Sequence, residues 1–450
     1  MKPVLILINP WIYDFAAYDL WSKPLGLFYL AGHLREWGYH IHLIDCLDVH
    51  HQEMEKLMYL KPPRRRLYGT GKFWKEEVAK PTPLRQIPRS YQRYGITKKI
   101  FKQELEKIKN PSAILVTSLM TYWYPGVREA ISLAKEVHPD TPVILGGTYV
   151  RLCPEHAHRF SGADYVSSEV PLDNPESLLR ILHRFRIPVP NNSPEKQPFP
   201  AFDMLRKIDY ICLVTSFGCP YHCQYCASSF LNPLFTRRDP GYILEEIEFW
   251  YNTYSIMDFA FYDDALLIDF ENHLGLVLEG LLRRDLHLRF HTPNAMHVRE
   301  ISQDIAGLLF RSGFQTLRLG LETSDDRIHQ DLDRKVFKGE FEKAVTYLKK
   351  AGFSRKQIGA YILMGLPGHS VGSVVDTIQF VDRIGAEPYL AEYSPLPHSR
   401  LWERAVACSE YDIINEPLFH NNSLLACWDK RKKRRVPELR RMVKEIRKAL

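Results

Sequence analysis

Short apolar runs alternate with amphipathic stretches through the first third of the chain, and this pattern predicts alternating strands and helices. The predicted strands are residues 4–8, 40–45, 113–117 and 143–147. Residues 25–37 and 125–137 have the period of helices with one apolar face. Alternating units of this kind build a mostly parallel α/β sheet covered by helices on both faces. We therefore predict a Rossmann-like first domain over residues 1–170.

Two segments break this pattern. Residues from about 47 to 111 are polar, basic and rich in aromatic side chains. They are too long for an ordinary connection, which predicts an insertion that is functional or caps the domain. Residues 171–207 are rich in proline and polar residues, which predicts an extended linker before a second domain.

The alternating pattern returns after residue 208. The predicted strands are residues 210–215, 257–262, 288–292, 316–321, 358–364 and 388–393. Amphipathic helices such as 242–254 and 341–351 lie between them. Six strand–helix units predict a partial (β/α)6 barrel over residues 208–410, with its chemistry at the carboxyl ends of the strands.

Composition and charge add limits to this picture. The chain has 450 residues, 45% of them hydrophobic, eight cysteines and a net charge of +7. No apolar stretch approaches the roughly 20 residues of a membrane span, and eight scattered cysteines favour the reducing cytoplasm over a secreted disulfide framework. The segment 411–450 forms a basic tail with eleven Lys and Arg against three acidic residues after position 420. A solvated or partly disordered terminus is favoured there over a surface for nucleic acid or an acidic partner.

The strongest chemical signal is the string CPYHCQYC, which directly follows the predicted strand 210–215. It places Cys219, Cys223 and Cys226 on one tight loop. Grouped thiolates suit a soft metal centre, and with no fourth ligand nearby a 4Fe–4S cluster would keep one iron open. The alternatives are a zinc knuckle, which would need a second Cys/His pair, and chance clustering.

This triad, with Tyr225 before the last cysteine, resembles the cluster loop of the radical S-adenosylmethionine (SAM) superfamily. The resemblance implies that the open iron chelates SAM, and that reduction splits SAM into methionine and a 5′-deoxyadenosyl radical. It also implies a partial barrel, an electron donor such as flavodoxin or ferredoxin, and a small-molecule or peptide substrate. What remains open is the substrate itself.

The resemblance also implies cofactor-binding residues at the later strand ends. Asp263 and Asp264 follow the second strand and are expected to bind the SAM amino group, although helix capping is an alternative. Asn294 after the third strand suits a ribose or a carboxylate. On the fourth strand, Glu322 is expected to accept the ribose hydroxyls and Arg318 to meet the methionine carboxylate.

The fifth and sixth strands complete the predicted SAM site. Ile362 lies before the sequence GLPG and is expected to cover the adenine, with Tyr393 or Ser394 of the sixth strand close by. His398 replaces a glycine that is usual in the similar turn of the family. It is either a solvated loop residue or an acid–base group, and no residue is assigned as catalytic.

The order of elements in residues 1–170 resembles the cobalamin-binding domain that often precedes a radical SAM core. One feature differs from the cobalamin-dependent mutases, whose DxHxxG signature supplies a cobalt-ligating histidine. The loop 9–24 contains no histidine. The resemblance therefore implies cobalamin without a histidine ligand from this loop, and the alternative is a Rossmann-like remnant that only shapes the substrate pocket.

The combined resemblances imply a radical SAM enzyme that performs cobalamin-dependent methylation of an unactivated carbon. In such a reaction one SAM methylates cob(I)alamin and another yields the radical that removes substrate hydrogen. The alternatives are a radical rearrangement or ring formation with a vestigial cobalamin domain, an RNA-modifying enzyme that uses the basic tail, and a non-catalytic iron–sulfur scaffold.

Overall fold

The computed structural model describes residues 2–169, 175–188, 197–332 and 335–448. The chain divides into two compact units. The first comprises residues 1–209 together with Asn415–Leu418, and the second comprises Tyr210–Ile414 and Phe419–Leu450. The second unit therefore starts within two residues of the boundary expected from the sequence.

The first unit is built from short strands and helices in alternation. Its strands are β1 Val4–Asn9, β2 Ile12–Asp14, β3 Tyr18–Asp19, β4 His40–Asp45, β5 Gly71–Lys72, β6 Lys75–Val78, β7 Tyr91–Tyr94, β8 Ala113–Val116, β9 Val143–Leu145 and β10 Tyr165–Val166. Its helices are α1 Leu25–Glu36, α2 Gln52–Glu55, α3 Lys98–Glu106, α4 Tyr124–Val137, α5 Thr148–Leu152, α6 Pro154–Phe160 and α7 Pro175–Arg184.

The main sheet of the first unit is parallel, in the order β10-β9-β8-β1-β4. Leu5 and Leu7 of β1 are fully buried in a core that also includes Leu34 of α1. The predicted Rossmann-like sheet is thus confirmed. Strand β10 was not predicted, because two residues are too few for a readable period.

The insertion is shorter than the predicted 47–111. Its strands β5, β6 and β7 pair with β2 and β3 of the loop that follows β1, which gives a three-stranded antiparallel sheet, β2-β7-β6, and a two-stranded one, β3-β5. Helix α3 lies inside the predicted insertion, but it is an amphipathic helix with Ile100, Phe101 and Leu105 buried. It belongs to the alternating strand–helix pattern, because it leads directly into β8.

The predicted linker also differs from the structure. Helix α7 lies within 171–207, and its Leu178, Ile181 and Leu182 belong to the core of the first unit. Residues 170–174 and 189–196, which include much of the proline-rich stretch, lie outside the described residues. The segment up to residue 209 is therefore assigned to the first unit rather than to a separate connection.

The second unit repeats strand and helix. Its strands are β11 Ile211–Leu213, β12 Ser216–Phe217, β13 Thr236–Arg237, β14 Asp258–Phe261, β15 Arg289–His291, β16 Met296–His297, β17 Phe314–Glu322, β18 Ile358–Met364 and β19 Glu387–Glu392. Its helices are α8 Ser228–Leu231, α9 Pro240–Tyr254, α10 Leu274–Arg283, α11 Gln303–Arg311, α12 Asp326–Leu332, α13 Glu340–Ala351, α14 Val371–Ile384, α15 Trp402–Cys408 and α16 Lys430–Lys448.

Six of these strands form a parallel sheet in chain order, β11-β14-β15-β17-β18-β19. Within the described residues β11 and β19 do not pair with each other, so the barrel is open. This confirms the predicted six-strand core. All six carboxyl ends lie along one rim, as parallel pairing requires.

The basic C-terminal segment is not the solvated tail expected from its charge. It forms α16, whose Val436, Leu439 and Val443 are buried. Two of its arginines also bind β19, since Arg440 pairs with Glu392 at 2.8 Å and Arg447 with Glu387 at 3.3 Å. The apolar stripe every three or four residues, rather than the net charge, decides the structure of this segment.

No helix among the described ranges combines the length and the hydropathy needed to cross a membrane.

Candidate functional site

The three cysteines lie on the loop between β12 and α8, on the rim at the carboxyl end of the first barrel strand. Gly218 starts this loop with φ +77°, and a Cβ there would lie 2.5 Å from the Leu234 carbonyl oxygen. A turn closes the loop where the Cys226 N–H donates to the Cys223 carbonyl. The sequence therefore puts three partly exposed thiols on one constrained turn.

Three neighbouring thiols of this kind are suited to bind an iron–sulfur cluster once they are deprotonated. Burial raises the pKa of Cys219 to about 11 and also raises the pKa of Cys226; bound iron would instead hold both as thiolates. No three His, Cys, Asp or Glu side chains within the described residues converge on one ion. A 4Fe–4S cluster does not require such convergence, because each cysteine binds a different iron.

Asp263 has a structural role at this site, and its contact with the SAM amino group stays a prediction. Its carboxylate is 3% exposed and accepts hydrogen bonds from the backbone N–H and hydroxyl groups of both Thr215 and Ser216, at 2.6–3.1 Å. Burial raises the pKa of Asp263 while these bonds oppose the rise. Asp263 therefore ties the end of β14 to the residues that lead into the cysteine loop.

Asp264 and Asn294 remain at the exposed rim. The Ser228 hydroxyl donates to Asp264 at 2.5 Å, and the Ser228 N–H donates to the Cys226 sulfur at 3.3 Å. The Asn294 amide donates to the Tyr262 carbonyl at 2.7 Å. Asp264 thus reaches the end of the cysteine loop through Ser228, and Asn294 braces the end of β14.

A chain of three polar side chains joins the cysteine loop to the end of β17. The Lys335 ammonium donates to Glu322 at 2.7 Å and to the Tyr225 hydroxyl at 2.8 Å. Lys335 and Glu322 are each 5% exposed. Gly320 makes room for them, because a Cβ there would lie 3.2 Å from the Lys335 nitrogen. Sequence reasoning found Tyr225 and Glu322 but missed Lys335.

Glu322 also has an unusual backbone. Its φ of +65° lies in the left-handed region, where a non-glycine residue costs of order 1–3 kcal/mol. The register of β17 against β18 shifts at this point, between Gly320 and Glu322. Strain of this kind is retained where surrounding contacts hold it, here the ion pair with Lys335.

Arg318 is engaged by an aromatic side chain. Its guanidinium lies 4.2 Å from the ring centre of Tyr389, donates to the Tyr389 hydroxyl at 3.2 Å and donates to the Leu317 carbonyl at 2.9 Å. Arg447 of α16 packs on the same ring at 4.1 Å. These contacts link β17, β19 and α16, and the contact of Arg318 with the methionine carboxylate of SAM stays a prediction.

The remaining predicted residues lie at the ends of β18 and β19. Ile362 is fully buried and Tyr393 is 3% exposed, so their proposed contact with adenine stays a prediction. His398 stacks on Phe230, with ring centres 3.9 Å apart and an angle of 7° between the planes. Phe230 belongs to α8, so His398 lies beside the cysteine loop's helix and is held by stacking.

The carboxyl edge of the first unit has its own polar contacts. Asn9 at the end of β1 donates to Asp45 at the end of β4, at 2.7 Å. At the end of β9, Gly147 has φ +104°, and a Cβ there would lie 2.2 Å from the Ser118 carbonyl oxygen. Gly146 has only the Ser167 oxygen within 4 Å of a built Cβ, so open space borders this edge.

A polar aromatic cluster lies beside the same edge. The Tyr149 hydroxyl contacts the His156 Nδ1 at 2.6 Å, and the Tyr124 hydroxyl donates to Glu416 at 3.2 Å. Burial lowers the pKa of His156 to about 4. At neutral pH His156 is therefore an uncharged partner of Tyr149.

Comparison with known proteins agrees with this geometry. Residues 213–381 match the Radical SAM superfamily, so the second unit carries a radical SAM domain. Members of that family use SAM and a 4Fe–4S cluster. An uncharacterised methyltransferase of Pyrococcus horikoshii is 22% identical over 333 residues, 66% of this chain and 70% of the relative.

A second relative is the cytidylyl-2-hydroxyethylphosphonate methyltransferase of Streptomyces wedmorensis. It is 19% identical over 447 residues, covering 85% of this chain and 77% of the relative. Both relatives are methyltransferases by name.

Solved structures of the same fold cover most of the chain. TsrM from Kitasatospora setae, a radical SAM methyltransferase with cobalamin and a 4Fe–4S cluster bound, has a TM-score of 0.64 at 14% identity and covers 96% of this chain and 86% of that one. The cobalamin-dependent radical SAM enzyme OxsB, with aqua-cobalamin and SAM bound, has a TM-score of 0.59 at 13% identity, covering 93% and 56%. The predicted pairing of a Rossmann-like domain with a radical SAM barrel is confirmed as a fold.

Proposed function

We propose that this chain, which carries a radical SAM domain, is a cobalamin-dependent methyltransferase that acts on an unactivated carbon of a small molecule. The observation that carries the proposal is the loop of Cys219, Cys223 and Cys226 on the rim of a six-stranded open barrel, in a chain that also holds a Rossmann-like unit. TsrM and OxsB, which share this fold, hold cobalamin in their structures.

When bound, the cluster supplies the electron that cleaves SAM, and cobalamin carries the methyl group. The overall reaction replaces a substrate hydrogen by a SAM methyl group, and that hydrogen leaves on 5′-deoxyadenosine. Each turnover uses two SAM molecules and two electrons from a reductant of the flavodoxin or ferredoxin class. The protein contributes binding, orientation and exclusion of water.

The side chains around the cysteine loop have distinct tasks in this proposal. Cys219, Cys223 and Cys226 would hold the 4Fe–4S cluster through their sulfur atoms. Glu322 accepts the ribose hydroxyls, and Lys335 fixes Glu322 and Tyr225 in one arrangement through its two hydrogen bonds. Asp263 acts as a positioning residue, because it anchors the chain that enters the loop.

The carboxyl edge of the first unit is the proposed cobalamin site. Gly146 and Gly147 have no side-chain carbon and Ser118 has a small side chain, and a Cβ at Gly146 would have only the Ser167 oxygen within 4 Å. A flat macrocycle needs such a surface. The loop 9–24 contains no histidine, so we propose that this loop would supply no imidazole to a bound cobalamin.

The decisive experiment is mass spectrometry of small molecules released from protein purified without oxygen and reconstituted with hydroxocobalamin. The proposal expects a retained corrinoid, and no retained corrinoid would remove the methyltransferase assignment. Paramagnetic resonance of the one-electron-reduced protein tests the ligand. A nitrogen splitting that changes from three lines to two when the histidines carry 15N would leave binding intact and overturn only the expected ligation.

A further inference from the structure

Two cysteines outside the cluster loop lie side by side in the second unit. Cys408 ends α15, and Cys427 directly precedes Trp428 and the start of α16. Both thiols donate to one acceptor, the Ala405 carbonyl oxygen, at 3.5 Å from Cys408 and 4.0 Å from Cys427. The Cys408 side chain also lies within hydrogen-bonding contact of Cys427. The fold thus brings together two thiols that are far apart in the sequence.

The two thiols differ in access. Cys408 is exposed, whereas Cys427 is 7% exposed. Both line a cavity of about 690 Å³, whose wall also contains three cations, Lys430, Arg431 and Lys432, and two carboxylates, Glu410 and Asp429. A reagent in this cavity therefore meets Cys408 first, and the excess of one positive charge in the wall favours a reagent with negative charge.

The charge of Cys408 affects the protonation of Cys427, and this sets the order in which the two thiols react. Burial raises the pKa of Cys427, and the negative charge of an ionised Cys408 raises it further. Once the sulfur of Cys408 is bonded to another sulfur, that charge is gone, and burial is the raising cause that remains for the pKa of Cys427.

We propose that Cys408 and Cys427 are a dithiol modification site that closes to an intrachain disulfide with an anionic small-molecule disulfide of the glutathione type. The Cys408 thiolate attacks one sulfur of the reagent, whose S–S bond breaks and releases one thiol. Cys427 then loses its proton and attacks the Cys408 sulfur, releasing the second thiol. Two protein thiols are oxidised and one external disulfide is reduced to two thiols, so atoms and electrons balance.

The disulfide would close a loop that begins at the end of α15 and returns just before α16. Residues 415–418, which the chain contributes to the first unit, lie within that loop. Burial, and then the charges of Cys427 and Cys408, raise the pKa of the Tyr393 phenol at the end of β19. Oxidation therefore acts on a segment beside the end of β19 without using the cluster cysteines.

The test is peptide mapping of the full chain after anaerobic incubation with oxidised glutathione and alkylation of the remaining thiols. The expected product is a cross-linked pair of peptides containing Cys408 and Cys427, lighter by two hydrogen atoms and restored by a reducing thiol. Cys153 is the internal control, because burial raises its pKa to about 12 and it should remain alkylated.

Two variants test the order of attack. In Cys427→Ser, Cys408 should accumulate as a stable mixed disulfide with glutathione. In Cys408→Ser, Cys427 should remain a free thiol under the same conditions. The proposal is overturned if wild-type Cys408 keeps glutathione without forming the cross-link, or if neither cysteine reacts. These readouts do not depend on the cluster, SAM or cobalamin, so they are separate from the test of the proposed function.

Discussion

At the scale of single residues, the buried Lys335 ammonium connects the cysteine loop to β17, the fourth strand of the barrel sheet. Its two hydrogen bonds hold Tyr225 and Glu322 together, although the three residues come from different loops and strands. A buried cation between a carboxylate and a phenol is stable only while both partners stay in place. The precision of the proposed ribose site therefore depends on a residue with no recognisable motif.

We expect Lys335→Met to weaken SAM binding about ten- to a hundredfold, on the order of 1.5–3 kcal/mol, because it leaves Glu322 buried without its counter-charge. Equilibrium binding of SAM to the reconstituted protein measures this effect, and iron content should be unchanged. Lys343→Met is the matched control, since Lys343 is exposed on α13. Equal affinity in Lys335→Met and wild type would refute the role given to Lys335.

The cysteine loop gives the second residue-scale prediction. Cys219→Ala, Cys223→Ala and Cys226→Ala should each lose or damage the absorption near roughly 400 nm that a reconstituted 4Fe–4S cluster gives, since a methyl group cannot bind iron. Reductive cleavage of SAM to 5′-deoxyadenosine should be lost with it. Cys408→Ser should keep both signals, and a triple alanine variant that still assembles a reducible cluster would contradict the assignment.

The sequence predicted the ligands of this site better than their contacts. Cys219, Cys223 and Cys226 are close in sequence, so their spacing alone reveals them. The contact of Asp263 with SAM is predicted because Asp263 follows a strand, and the sequence gives no sign that its carboxylate accepts hydrogen bonds from Thr215 and Ser216. These hydrogen bonds depend on tertiary packing, which the local sequence does not encode.

At the scale of elements, strands β1 and β4 are joined at their carboxyl ends by the bond from Asn9 to Asp45. Burial raises the pKa of Asp45 to about 6. The folded protein therefore binds a proton more tightly than the unfolded chain, whose carboxyl has a pKa near about 3.9. The stabilisation is complete below the unfolded pKa and is lost as the pH rises through about 6.

We therefore expect Asp45→Asn to remove this part of the pH dependence. The neutral amide keeps an oxygen for Asn9 and avoids burying a charge, so the variant should gain of order 1–3 kcal/mol relative to wild type above pH 6 and little below pH 4. Denaturant unfolding across this pH range measures it. A difference that does not change with pH would show that Asp45 is not the titrating group.

Helix α16 gives the second element-scale prediction. Leu439 is 1% exposed, so Leu439→Ala should destabilise the second unit by about 2–4 kcal/mol, lowering its unfolding midpoint. Lys444→Ala on the exposed side of the same helix is the control and should change little. If both variants unfold like wild type, the helix does not contribute to the core.

Elements with a strong period were predicted well, and elements that depend on distant partners were not. Strand β18 has the predicted bounds, because every residue from Ile358 to Met364 is apolar or small. Strand β6, with the sequence KEEV, has no apolar alternation and exists because it pairs with β7. Helix α16 was misjudged because eleven cations obscured three well-spaced apolar residues.

At the scale of the whole molecule, the division into units follows the chain except at one place. Residues 415–418 leave the second unit, join the first and return. Glu416 in this short segment accepts the hydrogen bond of Tyr124, whose helix α4 follows β8. The first unit is therefore completed by residues that lie more than two hundred positions beyond its main boundary at Asp209.

Because residues 415–418 belong to the first unit, cleavage of the chain at one site cannot separate the two units completely. A protease that cleaves after Asp209 would release an N-terminal fragment that lacks residues 415–418. The C-terminal fragment would keep these four residues without the unit to which they belong. Either unit, when expressed as one continuous segment, should be incompletely folded for the same reason. Recombination that duplicates or exchanges one of the two units would have to include both of its chain segments. We therefore expect the two units to be inherited together.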